Sequence, residues 1–176
     1  SDQGNGIITM DVVENESTVI SISQANVAMT AYAPAGGKVL KFRTGTYNIG
    51  STTRLARDKV YSNTLVMTGE PDTILIGRLQ FENTSNVLVE NLTVYNTTTS
   101  NNSVVNLIGA CDNFTIQDCE IHGTYYDPTG DYFLSGSYVN VDGIRSTNGS
   151  SGNLKGLSIL RNKIYDVYEL GYIHFS

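Results

Sequence analysis

The sequence predicts an all-β fold in which the chain winds into a parallel β-helix, and three observations support this. Val, Ile, Thr, Tyr and Gly, which suit strands and turns, are plentiful, whereas the helix formers Ala, Glu and Lys are scarce. A short apolar pattern recurs in the second half of the chain. Polar segments separate its copies. With 176 residues, 40% of them apolar, the chain has the size and the apolar content of one domain with a core.

The repeat is clearest in three eight-residue segments that begin at Val87, Phe114 and Leu157. Apolar residues occupy the first, third and eighth positions of every copy, which indicates a strand, a bend and a second strand. Such a unit cannot bury its apolar face alone and must stack on its neighbours. The third positions, preceded by an equivalent Met67, therefore predict one buried lane of residues: Met67, Val89, Ile116 and Ile159.

A second set of four-residue segments places glycine last, and its members alternate along the chain with the first set. They end at Gly77, Gly109, Gly143 and Gly171. Strict alternation of two strand types predicts one coil for each pair, so the glycines are expected to align on neighbouring coils. The longer coils carry polar insertions at residues 97–102 and 124–133, which we interpret as loops.

Three segments resemble the parallel β-helix repeat of the pectate-lyase-like superfamily. They are Asn162–Ile173, Thr64–Leu75 and Ala33–Tyr47, the last with Arg43 where a proline is usual. The resemblance covers about residues 30–176 and implies a right-handed, single-stranded parallel β-helix of about five coils with an N-terminal cap. It implies no single activity, because the superfamily includes lyases, hydrolases, epimerases, phage tailspikes and non-catalytic surface proteins.

The predicted organisation has two parts. Residues 1–32 form an acidic lead-in with an irregular strand, followed by a cap over residues 17–32. Residues 33–176 form the β-helix. The last residues alternate like a strand and no polar cap follows them, so we expect either further coils of a longer chain or self-association at this end, and favour the longer chain.

Candidate catalytic residues come from the coils defined by the glycine segments: Asp142, Arg145, Glu169 and His174. The stretch Asn140–Gly143 is similar to the Asn-x-Asp-Gly motif of polygalacturonases, in which the aspartate is a catalytic carboxylate. A carboxylate with an arginine and a histidine could support acid–base chemistry at a glycosidic bond. The alternative is structural, with Asp142 capping a turn at Gly143 and pairing with Arg145 on the surface.

Candidate substrate-binding residues are Asp112, on the preceding coil, and tyrosines of the long insertion. The chain has eleven tyrosines and no tryptophan, and Tyr125, Tyr126 and Tyr132 lie in that insertion. Aromatic faces stack on sugar rings, although packing of the loop onto the coil is an equal alternative. Asp127 and Asp131 are too few carboxylates for a calcium loop, so no cofactor and no metal site are predicted.

Composition narrows the choice of function. A net charge of −6 argues against nucleic acid as a partner, and no apolar run has the length of a membrane span. Few charges and several Asn-x-Ser/Thr triplets favour an extracellular, cell-surface or virion-surface location. Two functions remain: binding, with or without cleavage, of a polysaccharide in an outer groove, or a non-catalytic structural or adhesive segment of a surface, fibre or spike protein. Cys111 and Cys119 form no metal pattern and are expected to be small buried residues.

Overall fold

The computed structural model describes residues 7–10, 39–50, 54–96, 102–123, 141–147, 154–167 and 172–175. Within these residues the backbone forms strands, turns and bends, with no helix. Every strand pairing between them is parallel. The predicted all-β class is therefore confirmed, and the sheets are parallel.

The strands follow one another in this order: β1 Ile7–Met10, β2 Val39–Phe42, β3 Gly45–Gly50, β4 Ala56–Gly69, β5 Thr73–Gly77, β6 Leu79–Glu90, β7 Thr93–Tyr95, β8 Asn102–Ile108, β9 Phe114–Gln117, β10 Glu120–His122, β11 Val141–Thr147, β12 Ser158–Leu160, β13 Lys163–Tyr165 and β14 Tyr172–Phe175. The short β1 falls in the predicted lead-in and pairs with β2. This confirms a strand there. The predicted cap over residues 17–32 lies outside the described residues.

The pairings arrange these strands in three parallel stacks. The first contains β1, β2, the second half of β4, the second half of β6, β9 and β12. The second contains β3, β5, β7, β10 and β13. The third contains the first halves of β4 and β6, followed by β8, β11 and β14. From β2 onward the chain visits the first, second and third stacks in that order five times. We call one such pass a coil.

The apolar lane predicted from the repeat is present in the first stack. Met67 pairs with Val89, Val89 with Ile116, and Ile116 with Ile159. The first three are at most 1% exposed, as expected for side chains covered on both sides. The predicted burial of Ile159 is wrong: it is only half-buried, because within the described residues β12 has β9 as its one neighbour.

Both cysteines are buried and free, as the sequence predicts. Burial raises the pKa of the Cys119 thiol to about 11 and also raises that of Cys111. Their sulfur atoms lie against backbone carbonyl oxygens of the core. Neither thiol has the thiolate character that a reactive cysteine needs.

The predicted alignment of glycines is wrong. Gly77 lies in the second stack, where it pairs with Gly50, whereas Gly109 follows a strand of the third stack. Each of these glycines is required by its own local backbone conformation. Gly77 has φ 130°, and a Cβ on it would lie 2.1 Å from the Gly50 carbonyl oxygen. Gly109 has φ 70° at a turn.

The described residues contain no helix that is long and apolar enough to cross a membrane.

Replacing Ile116 with Asp tests the buried lane. A carboxylate at a site 1% exposed would lose its water without gaining a partner, so the free energy of unfolding should fall by about 3 kcal/mol or more. Thr115→Asp is the matched control, because the neighbouring residue on the strand is half-buried and lies on the opposite face. Equal denaturant midpoints for the two variants would show that the lane is misassigned.

Thiol labelling tests the cysteine environment. Neither Cys111 nor Cys119 should react with a maleimide in the native protein at neutral pH, and both should react once the chain is unfolded in urea. Mass spectrometry counts the added groups. Rapid native labelling of either residue would contradict the buried placement.

Candidate functional site

The corner between the first and second stacks repeats the same backbone conformation on successive coils. Asn91, Asp118 and Arg161 occupy it with φ of 53°, 52° and 52°. Asn and Asp adopt this left-handed conformation most readily among residues with a side chain, whereas Arg does so at a cost. Each of these corners has two residues between its strands. Successive coils therefore turn at the same place, and their corner side chains form a column.

One corner is longer, and it creates a cleft. Between β4 and β5 the connection has three residues, Glu70 to Asp72, instead of two, and hydrogen bonds from Thr44 of the preceding coil hold this turn. The Thr44 amide donates to a Glu70 carboxylate oxygen at 3.2 Å, and its hydroxyl donates to the Pro71 carbonyl at 2.8 Å. Beside the turn, Gly69 permits close approach of the next coil, since a Cβ there would lie 2.6 Å from the Asn91 carbonyl oxygen.

The cleft has a volume of about 340 Å³ and opens on the outside of the stacks. Its lining comes from three successive coils: Gly69, Glu70, Pro71, Asp72, Thr73, Asn91, Leu92, Thr93, Asp118 and Glu120. Four of these residues carry carboxylates. The volume falls at the lower end of the range for small-molecule sites.

Basic side chains of neighbouring coils hold three of the four carboxylates. Lys41 lies 2.9 Å from Glu70, and Arg161 donates two hydrogen bonds to Asp118 at 2.7 and 2.6 Å. Hydrogen bonds from these partners lower the pKa of both carboxyls below the ordinary range. These groups are therefore ionised at neutral pH.

Glu120 is the third carboxylate, and two residues of the next coil hold it. The Tyr165 hydroxyl donates a short hydrogen bond to its Oε1, and Lys163 Nζ lies 3.1 Å from the same oxygen. Both contacts lower the pKa of Glu120. The same hydrogen bond raises the pKa of Tyr165 to about 12.

An aromatic row runs beside the cleft on the outer face of the second stack. The rings of Tyr95 and His122 stack at 4.5 Å between centroids, and those of His122 and Tyr165 at 4.8 Å. Lys163 Nζ lies over the Tyr165 ring at 4.4 Å. Most of the ring faces are therefore covered, either by a neighbouring ring or by this ammonium group. The row presents ring edges and polar atoms to a ligand more than open faces.

This arrangement supplies hydrogen-bond acceptors. Carboxylates with a lowered pKa accept hydrogen bonds, but they make poor general acids, since a glycosidase needs one carboxyl that stays protonated near neutral pH. Within the described residues, no group of three or more His, Cys, Asp and Glu side chains could hold a metal ion. The cleft therefore offers ionised carboxylate oxygens as hydrogen-bond acceptors.

Three of the four residues predicted to be catalytic, Asp142, Arg145 and His174, lie on strands of the third stack and do not line the cleft. Asp142 is 0% exposed in the third stack, and Arg145 Nε donates to its carboxylate at 2.7 Å. The two side chains pair, but Asp142 is buried rather than on the surface as expected, and Gly143 lies within β11, so Asp142 caps no turn there. In register, β14 places His174 opposite the buried Ser146. Glu169 lies outside the described residues.

The structure separates Asp112 from Asp142. Asp142 pairs with Ser103 near the start of β8, whereas Asp112 lies beyond the end of that strand at Ile108. The five steps from Ser103 to Ile108 alone span about 16 Å. Asp112 instead accepts a hydrogen bond from the Lys155 amide at 2.8 Å, which joins two coils. The predicted substrate-binding residues Tyr125, Tyr126 and Tyr132 lie outside the described residues, as do Asp127 and Asp131.

The sequence analysis missed the cleft, although a signal for it exists. The segment Glu70-Pro71-Asp72 is one residue longer than its counterparts Asn91-Leu92 and Asp118-Cys119. Aligning the corners as well as the apolar positions exposes this extra residue. The charge complementarity of Asp118 with Arg161 and of Glu120 with Lys163 is also visible at equivalent positions of the repeat.

Comparison with known proteins found no match to a family model, a curated protein or a solved structure.

The ion pairs at the cleft predict a loss of stability in acid. A carboxyl whose pKa is lowered in the folded state contributes stability above its unfolded pKa of about 4, and this is lost as the pH falls through the lower folded value. Arg161→Gln removes the charged partner of Asp118, so the variant should melt at a slightly lower temperature than the wild type at pH 7. This difference should disappear in strong acid, where Asp118 is protonated in both proteins. Lys59→Gln is the control, because it removes one positive charge from the third stack and leaves Asp118 and Arg161 unchanged. A deficit independent of pH would contradict the assignment.

Proposed function

We propose that this chain is a right-handed parallel β-helix that binds an uncharged stretch of polysaccharide in its outer cleft, outside the cell. The fold proposal rests on the five ordered passes through three parallel stacks and on the near-universal right-handedness of connections between parallel strands. The motifs that resemble the pectate-lyase-like repeat agree with it. The sparse charge and the Asn-x-Ser/Thr triplets support the location.

One observation carries the binding proposal: polar side chains from three successive coils, four of them carboxylates, converge on one outward cleft. A carboxylate has lone pairs for several donors, and each of the three held by basic partners retains acceptor capacity. Sugar hydroxyls are donors spaced along a chain, so a row of acceptors spaced by the coils is complementary to them. Hydrogen bonds to charged acceptors are also stronger than neutral ones.

The same charges select among polysaccharides. The four carboxylates of the cleft outnumber the three basic side chains that hold them, so a uronate polymer would place its own carboxylates against an excess of negative charge, which disfavours binding. The net charge of −6 acts in the same direction. A neutral glycan avoids this repulsion. Three of the four carboxyls have a lowered pKa and are ionised at neutral pH, which suits them to accept hydrogen bonds, so binding is the activity that we propose for the cleft.

A structural or adhesive role is the second candidate, and the ion pairs between coils favour it. Asp118 with Arg161 and Glu120 with Lys163 each join a residue of one coil to the next. A rod-like segment could use these columns only to keep its coils in register. The two candidates differ in one result, which is whether any glycan binds.

Binding to a panel of neutral glycans and to pectate and alginate tests the proposal. Asp72 is exposed and lines the cleft, so Asp72→Asn should weaken binding of a neutral glycan about tenfold through the loss of a charged acceptor. Asp166→Asn is the matched control, because Asp166 is also exposed, also has positive φ and does not line the cleft. Isothermal titration calorimetry measures both variants.

Three results would count against the proposal. Binding of no glycan would leave the structural role, and preferential binding of pectate or alginate would overturn the choice of a neutral ligand. Equal weakening by Asp72→Asn and Asp166→Asn would show that the glycan binds away from the cleft.

A further inference from the structure

The three coils that line the cleft contribute different polar groups. Among the described residues of the lining, the first and third of these coils carry the carboxylates: Glu70 and Asp72 on the first, Asp118 and Glu120 on the third. The middle coil contributes the uncharged side chains of Asn91 and Thr93. Groups that only accept hydrogen bonds therefore flank the cleft, and groups that can donate them lie between the carboxylates.

The side-chain amide of Asn91 has donor capacity for a ligand. Asn91 is exposed, and its backbone is fixed at the corner with φ 53°. Its Nδ2 lies 3.5 Å from the Thr68 hydroxyl oxygen, which is at the outer limit of a hydrogen bond. An amide nitrogen carries two hydrogens, so at least one of them is available at the cleft. The hydroxyl of Thr93, which is half-buried, lies two residues further along the same coil.

This separation of donors from acceptors matches a ligand group that separates them too. A sugar hydroxyl donates and accepts with one oxygen atom, so it does not require the separation. A secondary amide donates only through its N–H and accepts only through its C=O, and in the trans form the two point in opposite directions. Such a group can direct its N–H to a flanking carboxylate and its carbonyl oxygen to Asn91. Pro71, which is exposed on the turn, adds an apolar surface to the lining for a methyl group.

We propose that the cleft recognises the acetamido groups of a neutral glycan, and that Asn91 determines this preference by donating to the acetamido carbonyl. Acetamido recognition rests on the proposed function of the cleft, for which it names the class of sugar. The group is uncharged, so it avoids the repulsion that a uronate would meet. Its N–H donates to an ionised carboxylate, and a hydrogen bond of this kind is stronger than one between neutral groups.

A matched pair of ligands tests the proposal on the full chain. The β-linked tetramers of N-acetylglucosamine and of glucose differ only in the acetamido group that replaces one hydroxyl on each ring. Calorimetric titration should show that the wild type binds the N-acetylated tetramer about tenfold more tightly, as expected for one or two added hydrogen bonds. Asn91→Asp removes the donor hydrogens but tolerates the positive φ, so it should bring the ratio of the two dissociation constants close to one.

Two further variants separate recognition from misfolding and from charge. Asn113→Asp makes the same change at another exposed residue with positive φ that does not line the cleft, and it should keep the wild-type ratio. Asn91→Gly replaces Asn91→Asp if the latter lowers the melting temperature, since glycine also adopts positive φ.

The outcomes distinguish this proposal from the proposed function. Equal binding of both tetramers by the wild type, or an acetamido preference that survives substitution of Asn91, would overturn acetamido recognition by Asn91 and leave the binding of neutral glycans standing. Binding of neither tetramer would also overturn it, even if another neutral glycan binds. Binding of no glycan at all would overturn the proposed function together with it.

Discussion

Burial of apolar side chains between successive coils is the constraint on which the other features depend. A three- or four-residue strand covers little surface, so a residue such as Val89 is excluded from water only when Met67 and Ile116 lie on either side of it. The spacing between coils must then stay constant along the stack. Outward-facing side chains on successive coils are therefore evenly spaced, and this spacing brings polar side chains of three coils into one cleft.

The corner beside the cleft depends on left-handed residues as much as on burial. Asn91 and Asp118 tolerate this conformation, but Arg161 accepts a backbone cost that most side chains avoid. Its two hydrogen bonds to Asp118 offset part of that cost and fix the side chain along the column. A local strain is thus coupled to an ion pair between coils, and the same pair lowers the pKa of Asp118, which lines the cleft.

The sequence predicted the register of the first stack because burial repeats every coil. Positions such as Val89, Ile116 and Ile159 face the same environment, so their identity carries the alignment. The glycines do not mark equivalent positions, since Gly77 is required by its close approach to Gly50, whereas Gly109 is required by the positive φ of a turn. The cleft also escaped prediction. It arises from a turn one residue longer than its neighbours and from contacts between residues at least 22 positions apart, such as Gly69 with Asn91 and Thr44 with Glu70.

The connections between the stacks differ in how much their number of residues varies from coil to coil. Between the first and second stacks the connections contain two or three residues on every coil, whereas between the second and third they range from one residue, Arg78, to the eighteen of 123–140. Sequence can therefore be inserted or deleted at the variable corners without displacing the column that carries Asn91, Asp118 and Arg161. Related chains could diversify their loops while the cleft corner stays unchanged. A designer seeking to graft a peptide onto this scaffold would find room at the variable corners and none at the cleft corner.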